Sequence, residues 1–279
     1  MSHEYPVNVL CATLEVSASG YHAWTQRPPS RRTQANAALL PLIVEAYRTS
    51  RQTYGSPRIT HWLHDHGQPC GRVRVARLMR QAGVNRRPRR RFRPMSLTDS
   101  DHDLPVAPNR LLAQAPPARP DAVWVADLTY VETQEGFLYV AGILDRCSRR
   151  CIGWAMGDSL ATTLPLAALD MALTQRRPTG GLLHHSDQGV QYASRNYRQR
   201  LAQAGVVPSM SRRGNCYDNA AMESFWSSLK RELVHRCQFA TRTEARVAIF
   251  EWIEVFYNRE RFHSALGYKS PVDFENQIN

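Results

Sequence analysis

The sequence predicts a mixed α/β domain preceded by a smaller, strongly basic all-helical one. Charge is the first reason: residues 1–97 hold 16 Arg and no Lys against 4 Asp and Glu, a net of +12, whereas residues 98–279 hold 20 basic and 20 acidic residues. The second is a set of three short runs between residues 123 and 156, rich in β-branched and aromatic residues and separated by turn sequences. The third is the alternation of helical periodicity with short apolar runs beyond residue 160, the pattern of layered α/β domains. A length of 279 residues accommodates two such units.

Bulk properties exclude several classes. Hydrophobic content of 43% with 22% charged residues describes a folded chain rather than a disordered one. No apolar run reaches the roughly 18 residues of a membrane span, and the first ten residues (MSHEYPVNVL) lack the parts of a secretion signal. The six cysteines are scattered, so reduced thiols in a cytoplasmic protein are expected, and the spacing of His61, His64, His66 and Cys70 matches no zinc pattern.

The first 25 residues predict a short helical pair, with Ser17–Gly20 between the two apolar clusters, and Pro28–Arg32 reads as a linker. A helix over 35–48 follows from the apolar stripe Leu39, Leu42, Ile43 and Ala46. In Tyr54-Gly55-Ser56-Pro57-Arg58-Ile59-Thr60, Ser56 is expected to cap a helix that opens on Pro57 and stops at Gly67. A further helix over 72–81 stops at Gly83. Val75, Leu78 and Met79 share one side of it, with Arg74, Arg77 and Arg80 opposite. Helix, turn and arginine-faced helix is the layout of a helix-turn-helix, and no acid occurs between Arg72 and Arg93. Such a field attracts polyanions, and double-stranded DNA is the partner expected rather than a membrane surface. The DNA-contacting candidates here are Arg58, Arg74, Arg77 and Arg80, together with Arg89, Arg90 and Arg91 of the proline-broken arm 86–94. Residues 95–121, rich in Pro, Ala and Asp, read as a linker.

The second domain should begin with strands at 123–131, 137–144 and 151–156, joined by tight turns. A helix over 162–174, a strand at 182–186, a helix over 194–204, a strand at 206–211 and a helix over 219–235 complete it. In the tail, Thr241 and Glu244 form a capping box before a helix whose Ile249, Trp252, Ile253 and Phe256 face the core. The expected division is therefore 1–30, 31–94, 95–121, 122–236 and 237–279.

Three carboxylates stand where chemistry would need them. Asp127 interrupts an apolar strand, Asp187 ends another, and Glu223 lies in the first turns of the last core helix. Neighbouring strands would bring the aspartates together, and clustered hard oxygens bind Mg²⁺ or Mn²⁺, two of which act well on a phosphodiester. Each also has a structural alternative: a paired strand residue, a turn residue and a surface charge.

The stretches WVADLTYV, HHSDQGVQY and NAAMESFWSSLKREL resemble the three blocks of the retroviral-integrase superfamily, with 59 and 35 residues between their acids. YGSPRIT, LDRCSRRCIGW and YNRERFHSALGYKSPVDFE, in order, are similar to the second-frame protein (OrfB) of the IS-three family of bacterial insertion sequences. The resemblance implies an RNase H-like catalytic core and a nucleoid-associated DNA transposase. Its catalytic and metal-binding residues would be Asp127, Asp187 and Glu223, with two Mg²⁺ or Mn²⁺ ions. It further implies Lys230, two turns after Glu223, as a contact to end DNA. An upstream helix-turn-helix protein (OrfA) joined by frameshift, and a homodimer or larger assembly on DNA, are implied as partners.

Further candidates are Asn215, Asp218 and Asn219 before the glutamate helix, His184, His185 and Ser186 beside Asp187, and Arg259, Arg261 and His263 in the tail. Asp145, Cys147 and Cys151 read as structural. Two rivals stay open from sequence: a DNA-binding regulator with an inactive core, and an RNase H-like nuclease acting on RNA–DNA hybrids.

Overall fold

In the computed structural model, residues 5–84, 101–112, 117–212 and 219–278 are described. The arm residues Arg89, Arg90 and Arg91, and Asn215 and Asp218, lie outside the described residues. The chain divides into two compact units, residues 1–86 and 87–279.

The first unit is helical: α1 (Val7–Thr13), α2 (Ala18–Gln26), α3 (Arg31–Thr49), α4 (Ser56–Asp65) and α5 (Arg72–Gln81). Ser17 caps α2 by accepting the Gly20 N–H at 2.9 Å. Ser30 does the same for α3 from Thr33, so Arg31 and Arg32, expected in a linker, form the first helical turn. At α4 the capping position belongs to Gly55, and Ser56 is already helical; its carbonyl accepts the Thr60 hydroxyl at 2.7 Å. Pro57 sits in the first turn, where its missing N–H has no partner to lose. Gly67 and Gly83, at φ +72° and +67°, stop α4 and α5 as expected. Ile43, Ile59, Leu63, Val75 and Leu78 are buried together between α3, α4 and α5.

The second unit is built on β1 (Val123–Thr133), β2 (Gly136–Asp145) and β3 (Cys151–Gly157), an antiparallel meander. After α6 (Thr163–Arg176), β4 (Leu183–Ser186) returns to the free side of β1 and runs parallel to it. The short helices α7 (Val190–Ala193) and α8 (Arg195–Gln203) lead to β5 (Val207–Met210), parallel to β4. The sheet order β3-β2-β1-β4-β5 with flanking helices is the RNase H-like arrangement that the sequence resemblance implies. α9 (Ala220–Glu232), α10 (Arg242–Glu251), a π-helical segment Trp252–Glu260 and α11 (Pro271–Ile278) complete the chain. α7 and α11 were not expected, being too short to carry a periodic signal.

Strand alternation sorts the two faces of the sheet. Trp124, Ala126, Ala141, Ile143 and Ile152 pack with Ala168, Leu169 and Ala172 of α6 and Leu201 of α8. A Cβ on Gly153 would lie 2.3 Å from the Ala168 carbonyl oxygen, so only glycine lets α6 approach β3 this closely. The opposite face, on which Asp127 and its ladder partner Gly142 lie, receives α9.

Buried ion pairs lock the carboxy-terminal segment to this unit. Glu275 of α11 accepts from the Ser148 hydroxyl at 2.7 Å, Arg150 Nη1 at 2.7 Å and Arg176 Nη1 at 2.8 Å. Arg176 also donates to Asp121 at 2.9 Å. Asp145 accepts the backbone N–H groups of Asp121, Cys147 and Ser148, the structural role expected of it. Burial alone would push the Glu275 carboxyl up, but the hydrogen bonds from Arg176, Ser148 and Arg150 outweigh it and hold the group below its usual range. A depressed folded-state value means the contribution is present at neutral pH and lost as pH falls below the ordinary value of 4.5. Glu275→Ala should therefore destabilise the protein by about 2 kcal/mol at pH 7, by removing the shared partner of Arg150 and Ser148 and one of the two carboxylates that Arg176 binds. In denaturant titrations the difference from the unsubstituted chain should shrink as pH falls below 4.5.

Candidate active site

The geometry starts from strand register. In the parallel β1–β4 pair, Val123 lies level with Leu183, Trp124 with His184 and Val125 with His185, a constant offset of 60. Carried two residues further, that offset sets Asp127 level with Asp187, on strands separated by about 4.8 Å. β4 ends at Ser186, so Asp187 opens the following loop, where its Oδ1 accepts the Gly189 N–H at 2.9 Å. Glu223 is in the first turn of α9 and exposed.

Electrostatics report the same convergence. Asp127 keeps some exposed surface, yet its carboxyl is enclosed. Burial first, then the charge of Asp187 and more weakly that of Glu223, push it up to about 8. Among the described residues no three His, Cys, Asp or Glu side chains close into a finished ligand cluster. The arrangement is an adjacent pair of carboxylates with an exposed third.

Two residues fasten α9 to the strands around Asp127. Asn219, at its amino-terminal boundary, donates Nδ2–H to the Ala126 carbonyl at 3.0 Å, one residue before Asp127. Trp226, one turn after Glu223, lies over Gly142, the residue directly opposite Asp127 in the β1–β2 ladder. Its indole N–H faces Asp127 and holds that carboxyl down, but completes no hydrogen bond by geometry. Neither Gly142 nor Trp226 was singled out from sequence. The available signals were a glycine inside the apolar run VAGILD, which marks close approach, and an aromatic three residues after the glutamate.

The donor set suits a hard divalent cation. Three carboxylates supply hard oxygens, and the like-charged pair is the kind of site a cation relieves. Buried polar atoms without partners also gather here: Tyr192 Oη, Asn219 Oδ1 and Trp226 Nε1. Tyr192 lies in the field of both Asp127 and Asp187.

Family models match much of the chain. The integrase core domain matches residues 117–216 and again 204–271, and an HTH-like domain matches 34–92. Transposase InsF for insertion sequence IS3A of Escherichia coli is 38% identical over 276 residues, covering 98% of this chain and 95% of that one. The chain belongs to the IS3 family of transposases. The insertion element IS600 uncharacterized 31 kDa protein of Shigella sonnei is 47% identical over 270 residues, covering 97% and 98%. Among solved structures, the simian T-cell lymphotropic virus intasome in complex with PP2A regulatory subunit B56 gamma aligns over 77% of this chain and 70% of that chain, at TM-score 0.47 and 13% identity. The HTLV-2 integrase catalytic core domain in complex with magnesium aligns over 57% and 98%, at TM-score 0.42 and 11% identity.

The remaining candidates of the transposase divide clearly. Lys230 is half-buried, its Nζ 4.9 Å from the centre of the Tyr130 ring and within the field of Asp127; burial pulls its pKa down. His184 and His185 face opposite sides of β4 and are buried. His184 bonds the Tyr197 hydroxyl at 3.0 Å, and burial drives its pKa down to about 3, so it is neutral. His185 bonds Ser209 and Ser211. Both are core groups. Ser186 donates to the backbone carbonyl of Asp187.

Arg261 departs from the expectation of a surface cation. It is buried, with Nε and Nη2 each 2.7 Å from the Glu232 carboxylate and Nη2 3.1 Å from Ser228. A guanidinium paired this way braces α9 rather than waiting for phosphate. Arg259 is exposed. On α5, Arg77 and Arg80 are exposed and Arg74 is tied to Asn36 of α3 at 2.8 Å; on α4, Arg58 lies 5.4 Å from the centre of the Tyr54 ring.

Gly142→Ala tests the docking of α9. Its Cβ would stand 2.8 Å and 3.0 Å from Trp226 ring carbons, forcing a rigid indole to shift. A stability loss of about 2 kcal/mol is expected in chemical denaturation.

Proposed function

We propose that this transposase binds the ends of its insertion sequence and cuts and joins DNA strands through Asp127, Asp187 and Glu223, in a copy-out, paste-in reaction. The observation that carries the reading is the shared offset of 60: the acids are spaced as the β1–β4 ladder is registered. Chance surface carboxylates have no reason to obey it.

Asp127 and Asp187 would hold one or two Mg²⁺ or Mn²⁺ ions, with Glu223 completing the set from α9. When bound, such ions polarise the phosphodiester, activate water or a 3′-hydroxyl and steady the leaving oxygen. Asp127 is held by the sheet and Asp187 by the loop that leaves β4, where it accepts the Gly189 N–H, and Asn219 and Trp226 fix the helix that brings Glu223. Chemically, water attacks a phosphorus at one end, a new P–O bond replaces the bond to the 3′-oxygen, and a 3′-hydroxyl is released. That hydroxyl then attacks a second phosphodiester, exchanging one P–O bond for another without an external energy source. Lys230 supplies positive charge for a phosphate of the end DNA.

Sequence reading of DNA falls to α5. Val73, 85% exposed, shares its outer face with Arg77 and Arg80, so an apolar group stands among cations, as suits thymine methyls and phosphates in a major groove. The arm arginines Arg89, Arg90 and Arg91 would extend this contact, and Arg259 is a further candidate. In this reading residues 31–94 bind DNA, 95–121 link, 122–236 catalyse and 237–279 brace the core. OrfA supplied by frameshift fusion, and at least a dimer on two ends, complete the assembly.

Asp187→Asn is the direct test. With labelled element ends and Mg²⁺, it should abolish nicking and joining while mobility-shift affinity for the ends stays within about threefold, because the side chain binds metal and not DNA. Undiminished nicking by Asp187→Asn would refute the assignment, and cleavage of RNA–DNA hybrids in preference to ends would support the nuclease alternative.

A further inference from the structure

Trp226 joins the two halves of the carboxylate site. It lies one helical turn after Glu223, so its position reports that of the glutamate's helix. Its ring rests where Gly142 has no side chain, level with Asp127 in the ladder. Its indole nitrogen is buried, has no hydrogen-bond partner and faces the Asp127 carboxyl. Buried indole N–H groups normally find a partner, and for Trp226 the acceptor at hand is the Asp127 carboxyl.

We propose that Trp226 is a positioning residue whose indole N–H locks the Asp127 carboxylate into its metal-binding orientation, with Gly142 admitting the ring and Glu223 carried on the same helix. The inference rests on the metal-dependent reading given above. Asp127 is crowded by Asp187, and the indole N–H faces its carboxyl. Asp127 and Asp187 would hold the cation, and Trp226 would donate to Asp127 and fix its orientation. Histidine and carboxylate ligands elsewhere are oriented by such outer contacts.

Because the donor is unpaired without metal, its removal should leave the metal-free fold intact, unlike the loss of a structural hydrogen bond. The test therefore measures Mn²⁺ affinity by titration calorimetry on the full chain without DNA, and melting temperature in EDTA. Two replacements at position 226 separate shape from donor. β-(3-Benzothienyl)alanine keeps the bicyclic ring and removes only the N–H, while Trp226→Phe removes both.

The benzothienyl variant should bind Mn²⁺ about tenfold more weakly and melt in EDTA with the unsubstituted chain. Trp226→Phe should show at least the same loss of affinity together with a lower melting temperature, from the space left over Gly142. Mn²⁺ affinity unchanged by the benzothienyl replacement would overturn the inference, as would a fall in its melting temperature without a fall in affinity. Asp187→Asn in the same titration separates the two levels. Loss of Mn²⁺ binding there, with the benzothienyl variant unaffected, leaves the metal site standing and removes only the role of Trp226. Failure of the unsubstituted chain to bind Mn²⁺ overturns both.

Discussion

The parallel pairing of β1 with β4 is the contact on which the rest depends. It fixes which residue of one strand faces which of the other, and because the ladder is made of backbone hydrogen bonds it holds regardless of what the side chains prefer. Two carboxylates left to themselves would separate. Here the sheet, anchored through Trp124 and Ala126 to the α6–α8 layer, holds Asp127, and the β1–β4 register carried past Ser186 sets Asp187 level with it. Burial first, and then the charge of Asp187, raise the pKa of Asp127. That unfavourable energy makes the site receptive to a divalent cation, since the ion replaces like-charge repulsion with attraction at the place where the sheet permits no escape.

The helix that carries Glu223 is secured independently. Asn219 ties its start to the Ala126 carbonyl, Trp226 seats its middle over Gly142, and the buried Arg261–Glu232 pair holds its last turn to the segment after the π-helix. Three anchors along thirteen residues give the glutamate a fixed origin while leaving its own side chain exposed. Arginine in this unit is used largely for internal bracing: Arg150 and Arg176 clasp Glu275, and Arg261 clasps Glu232. In the basic unit Arg77 and Arg80 point outward without acidic neighbours on their helix. The same residue type thus serves two purposes, separated by the charge balance of the two parts of the chain.

Much of this was legible in the sequence, for identifiable reasons. β1, β2 and β3 announced themselves because apolar runs were bounded by turn residues, and α5 because its arginines and aliphatic residues fell on opposite sides. The carboxylate trio was visible once its three blocks were seen together. Other features could not be read. Ser56 looked like a cap, but the chain turns one residue earlier at Gly55. Arg31 and Arg32 looked like linker because Pro28 and Pro29 precede them, although Ser30 was there to start the helix. Arg261 looked like a DNA contact because a buried partner, Glu232, lies 29 residues away. His184 and His185 stand beside Asp187 in sequence, but strand alternation sends them to opposite faces of β4, where each is buried with partners of its own. Such partnerships exist only after the fold has formed.

The central claim is most directly tested by a crystal structure of the full chain soaked in Mn²⁺, with anomalous scattering used to locate the ion. The account predicts an anomalous peak between the carboxylates of Asp127 and Asp187, within bonding distance of both. Peaks found only elsewhere, or carboxylates turned to opposite faces of the sheet, would contradict it.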